Sequence, residues 1–164
     1  MKVADLRRLP KSVNDWGHWE TTKACPSTAF PLSKSTASLR INGYEWRLVK
    51  FETDKKKYRL LVAVHFAKEQ YYGVLGLECG HDMKRLASLE FHGTHPGWHV
   101  HGTCGDIEDV PVGRYKGPWC ERVPGAGRPH RQLEFGLNTQ ERALLLGCEF
   151  FGILNNDSKQ EWLV

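Results

Sequence analysis

Four of the chain's eight histidines fall within ten residues, in the run LEFHGTHPGWHVHGTCGD at positions 89–106. Apolar and polar residues alternate on both sides of His95-Pro96-Gly97, and nothing else in the chain restricts the local fold as much. Strand side chains point to opposite faces in turn, so the residues joining two strands decide which side chains share a side. Strands over 89–92 and 98–101, closed by the four-residue turn Thr94-His95-Pro96-Gly97, set His92 opposite His99, Phe91 opposite Val100 and Glu90 opposite His101. Leu89, Phe91, Trp98 and Val100 then make an apolar face, and Glu90, His92, His99 and His101 a polar one. A slip of one residue would set Leu89 and Phe91 beside His99 and His101, which burial disfavours.

Histidines two apart on a strand are separated by about 6.5–7 Å at the backbone, and a cross-strand neighbour lies about 4.5–5.5 Å away at Cβ. Three imidazoles so arranged can converge on one ion, as in an open zinc site, which makes a divalent transition metal such as zinc one candidate cofactor. They can equally form an acid/base set around a scissile phosphodiester. Glu90 fits either scheme, as fourth ligand, as orienter of an imidazole or as general base. The plainest alternative is a set of exposed polar residues on the wet face of a sheet. Four histidines in ten residues, two of them in alternation, favour a functional cluster over that alternative. His95, in the turn, reads as a gate or a bystander.

The spacing Gly93, five residues, His99-x-His101, four residues, Asp106, six residues, Gly113 resembles the first motif of the cupin family, with Asp106 where that family usually carries Glu. The resemblance covers about twenty residues. It implies a small β-barrel in which His99, His101 and Asp106 are metal ligands. Gly127-x-x-His130 matches only a fragment of the family's second motif, and it begins early.

Around this stretch the chain reads as one α+β domain. Its length of 164 residues suffices for a sizeable core. No run approaches the eighteen or so apolar residues of a membrane span, and the N-terminus lacks the apolar core of a secretory signal. Five scattered cysteines, Cys25, Cys79, Cys104, Cys120 and Cys148, are an odd number and suggest reduced thiols in the cytoplasm. Residues 1–38 are turn-rich and read as an irregular wrap anchored by Trp16, Trp19 and Phe30, with a short helix before Pro10. Residues 39–104 carry successive β-rich runs, at 58–66, 71–78 and 85–92, separated by polar turns. They predict an antiparallel meander of about five or six strands. Residues 138–153 predict a helix, capped by Asn138 or Thr139, whose face Leu144, Leu145, Cys148, Phe151 and Gly152 packs across the sheet.

Between sheet and helix, residues 105–137 form a Gly/Pro-rich loop. It is basic over 114–131, where Arg114, Lys116, Arg122, Arg128 and Arg131 face Glu121 alone. Arg114, Lys116, Trp119, Arg128, His130 and Arg131 are residue types that bind phosphates and stack on bases. A net charge of +4 permits a phosphate-bearing partner. A histidine cluster followed by such a loop suggests a small cytoplasmic hydrolase of phosphodiester bonds, an RNA-binding nuclease or a nucleotide hydrolase, with a role as a toxin or in defence. His92, His99, His101 and Glu90 would be catalytic, or His92, His99, His101 and Asp106 would hold a metal. Arg114, Arg128 and Arg131 would neutralise phosphate charge. Two alternatives stand beside this: a non-catalytic binding or inhibitor protein that meets a protein partner through the basic loop, and a cupin-like metal-dependent enzyme. The cysteines offer weaker ones, a mixed site of Cys79, His81 and Cys104 or a cysteine nucleophile.

Overall fold

The computed structural model describes residues 1–21, 28–33, 43–93, 95–102, 105–113, 119–122 and 134–154. A short helix α1 (Val3–Leu6) leads into strands β1 (Ser12–Asp15), β2 (Glu45–Thr53), β3 (Lys56–His65), β4 (Gln70–Cys79), β5 (Asp82–His92), β6 (His95–Gly102) and β7 (Trp119–Arg122), followed by helix α2 (Gln140–Phe150). The strands form one antiparallel sheet in sequence order, β1 to β7. With α2 packed on it, this is the α+β architecture the sequence implies.

Local chemistry explains the meander. β2 and β3 are joined by Asp54-Lys55, both at positive φ (49° and 59°), the backbone that a two-residue hairpin requires. Gly80, at φ +62°, serves the β4–β5 turn in the same way. Strand alternation then divides the sheet. One face carries Val49, Phe51, Tyr58, Leu60, Val62, Tyr71, Leu89 and Trp98, and it is sealed by Ala143, Leu144 and Cys148 of α2 and by Phe151 at its C-cap. Gly147 lets the helix come close, because a Cβ there would lie 2.7 Å from the Tyr71 hydroxyl, which itself donates to the carbonyl of Ala143. Thr139 caps the helix by accepting from the amide of Arg142, and Leu145 is only half-buried, so the buried stripe runs through Ala143 and Gly147 instead. The opposite face carries a smaller core of Phe30, Tyr44, Trp46, Leu61, Ala63, Val74 and Met83.

Two strands fall where irregular structure was expected. β1 lies within 1–38 and pairs Val13 with Phe51; β7 lies within 105–137 and pairs Cys120 with His101. Each has four residues, too few for period-two alternation to be distinctive, so tertiary pairing rather than local pattern makes them. The barrel implied by the cupin resemblance is absent: among the described residues the strands follow a linear order in which β1 and β7 are edges.

Candidate metal centre

The four polar residues of the hairpin do share a face, and they are enclosed. Glu90 and His99 are each 1 % exposed, His101 is 9 % exposed, and His92 is partly buried. Their register differs from the expected one. Glu90 pairs with His99, Ser88 with His101 and His92 with His95, with an irregularity between Glu90 and His92. The offset from the expected pairing is two residues, an even number, so the face each residue occupies is unchanged. Leu89, Trp98 and Val100 accordingly join the helix-side core, with Phe91 packed against Trp98 and Phe135.

The cluster is organised around one oxygen. Oε2 of Glu90 lies 3.3 Å from Nε2 of His92, 3.7 Å from Nε2 of His101 and 3.8 Å from Nε2 of His99. Nε2 of His92 and Nε2 of His99 are 3.1 Å apart. One ligand atom from each of the four residues can be chosen so that all lie within 4.8 Å of one another. Donors bound tetrahedrally at about 2.0–2.1 Å from a zinc ion are separated by about 3.3–3.4 Å. The observed separations straddle that edge length, so Glu90, His92, His99 and His101 form a buried group that could hold a metal ion.

Neighbouring groups hold these donors in place. The other carboxylate oxygen of Glu90, Oε1, accepts from the Arg85 guanidinium at 2.6 Å and from the Ser88 hydroxyl at 2.5 Å, and Arg85 also donates to Ser88. Nδ1 of His99 lies 3.1 Å from the carbonyl of Gly97. A proton on Nδ1 donates there and leaves the Nε2 lone pair directed at the cluster, the orienting contact that metal-bound histidines commonly make. The Tyr72 ring, opposite Glu90 on β4, stacks on His92. Burial by itself would push the Glu90 carboxyl up; the His92 contact, the Arg85 charge and the Ser88 hydroxyl outweigh it and hold the group down at about 2. Glu90 is therefore a carboxylate at neutral pH.

Arg85 and Ser88 went unrecognised in the sequence. Ser88 lies two residues before Glu90, so simple alternation places it on the same face. Arg85 does not, because alternation alone would send it to the apolar side. A β-bulge brings it round: Ala87 pairs with Leu75 and Arg85 with Gly76, leaving Leu86 as an extra residue that reverses the phase of β5.

Other expected site residues lie elsewhere. Asp106, proposed as a ligand, is not brought to the histidines; its exposed carboxylate pairs with the Met1 amino group at 3.0 Å. Glu108 shares that amino group and also pairs with Lys56. Trp119 contributes its backbone to β7, opposite Gly102. Arg114, Lys116, Arg128, His130 and Arg131 lie outside the described residues, as do Cys25 and Cys104. His81 is exposed in its turn, and Glu90, His92, His99 and His101 are the one metal-compatible group among the described residues. Burial pushes the Cys148 thiol up to about 12, far from the range of a reactive nucleophile. No described helix is long and apolar enough to cross a membrane.

Sheet and cluster together define a class: an open antiparallel meander, backed by one helix, with a buried three-histidine, one-carboxylate group on its other face. Compared with known protein families, curated proteins and solved structures, the chain finds no match.

Proposed function

We propose that this protein is a metal-dependent hydrolase whose ion is held by His92, His99, His101 and Glu90. The observation that carries the reading is the convergence of three imidazole nitrogens on one carboxylate oxygen, at 3.3–3.8 Å. Three nitrogens and one oxygen suit zinc among the divalent transition ions. Such an ion, when bound, would supply a Lewis acid and, by admitting water as a fifth ligand beside the four protein donors, a source of activated water at neutral pH. The chain's own part is to keep Glu90 ionised, to hold His99 through Gly97 and to enclose the donors. The proposed substrate is a phosphodiester, in RNA or a nucleotide, with Arg114, Lys116, Arg128 and Arg131 meeting its phosphates and Trp119 stacking on a base. That part rests on the sequence of the 105–137 segment alone.

The test is hydrolysis of RNA and of bis(p-nitrophenyl) phosphate by zinc-loaded, chelated and His101→Ala protein. Turnover by the loaded protein that chelation and the substitution both abolish is the expected result. Metal binding without turnover on any phosphodiester would refute the hydrolase reading. A second reading is favoured by the enclosure of Glu90 and His99 and by the count of four protein donors, which is the pattern of a closed structural site. In that case the metal fastens β5 to β6 in a binding protein. Chelation would then lower the melting temperature while leaving no catalytic activity to lose.

A further inference from the structure

Glu90 uses its two oxygens for different partners, and the division has a consequence for the kind of metal centre this is. Oε2 faces the three imidazoles; Oε1 faces Arg85 and Ser88. Arg85 is 4 % exposed and Ser88 fully buried, so both contacts are made away from bulk water, where charge-assisted hydrogen bonds are strong. A carboxylate free to turn can offer both oxygens to an ion, raising the coordination number and favouring ions that accept five or six ligands. Here one of the two oxygens is already engaged.

We infer that Arg85 is a positioning residue that, with Ser88, restricts Glu90 to a single coordinating oxygen and so sets the centre as four-coordinate N3O. This rests on the metal reading above. Its structural origin is the bulge at Leu86, which turns Arg85 from the helix side of the sheet to the side of the cluster. The guanidinium also balances the carboxylate's charge, so an ion held by three neutral imidazoles keeps its full excess positive charge in a buried setting. The geometry points to zinc, or cobalt(II) as its spectroscopic stand-in, over ions that need an octahedral oxygen-rich shell such as magnesium or manganese.

The test loads the full chain with cobalt(II) and records its visible ligand-field spectrum and its affinity by competition with a chelator. The unsubstituted protein is expected to take up one cobalt with the intense absorption of a four-coordinate site. Arg85→Met is expected to weaken that absorption, as Glu90 turns to offer both oxygens, and to lower affinity by about 10–100-fold, the usual reach of groups that hold a ligand in place. Ser88→Ala removes one donor to Oε1 without altering charge and guards against a folding defect in the arginine variant; it is expected to shift the spectrum in the same direction by less. Arg85→Lys, which keeps the charge, is expected to restore part of the affinity. Uptake by the unsubstituted protein together with unchanged spectra in Arg85→Met and Ser88→Ala would overturn this inference alone. Absence of cobalt uptake by the unsubstituted protein would overturn the metal reading as well.

Discussion

Replacing Glu90 by glutamine tests the electrostatic account of the site without any metal present. Glu90 and Arg85 sit 2.6 Å apart with side chains 1 % and 2 % exposed. The amide keeps the shape of the carboxylate but removes its charge, leaving the Arg85 guanidinium buried without its anion. Removing one partner of such a pair costs about 3–5 kcal/mol, because the remaining charge has lost both water and counter-charge. For a domain of this size each kcal/mol moves the melting midpoint by about 2–4 °C. Glu90→Gln should therefore melt about 6–20 °C below the unsubstituted protein. The assay is thermal denaturation followed by circular dichroism in the presence of a chelator. Combining it with Arg85→Met removes both charges, and the double variant should lose less than the two single losses added together, since neither ion is then stranded. A Glu90→Gln midpoint within about 2 °C of the unsubstituted protein would refute the reasoning, because it would mean that the buried charge is satisfied without Glu90.

Two further outcomes follow from the same structure. Because Glu90 is held at about 2 against an ordinary 4.5, the stabilisation it contributes is complete above pH 4.5 and drains as the pH falls towards 2. The stability of the chelated protein should decline across that acid window, and Glu90→Gln should flatten that part of the decline in urea titrations run at successive pH values. Trp98 is 4 % exposed, packs on Tyr71 and Phe91 and donates from its indole to the carbonyl of Glu134. Trp98→Ala should cost about 3–5 kcal/mol, lowering the urea midpoint; a loss under about 1 kcal/mol would show that this end of the core is not organised around the ring.

How much of this was legible depended on whether a feature obeyed strand parity. The two faces of the hairpin were readable because Leu89, Phe91, Trp98 and Val100 interleave with Glu90, His92, His99 and His101, and any even change of register preserves that division. The register itself was not readable: the irregularity between Glu90 and His92 sets Glu90, not His92, opposite His99. Arg85 was hidden for a related reason, since Leu86 interrupts the alternation that links it to Glu90. Asp106 was drawn in by spacing alone, and spacing carries no information about the Met1 amino group that holds its carboxylate. The α2 helix was visible from its apolar period, but the part played by Gly147 depends on how closely the Tyr71 hydroxyl approaches.

The most direct measurement is metal content at equilibrium. Purified protein is stripped with a chelator, dialysed against a small excess of zinc, and analysed for bound metal beside a variant in which His92, His99 and His101 are all alanine. One zinc per chain in the unsubstituted protein and none in the variant is the predicted result. Equal content in both, or none in either, would contradict the claim that these imidazoles and Glu90 make a metal centre.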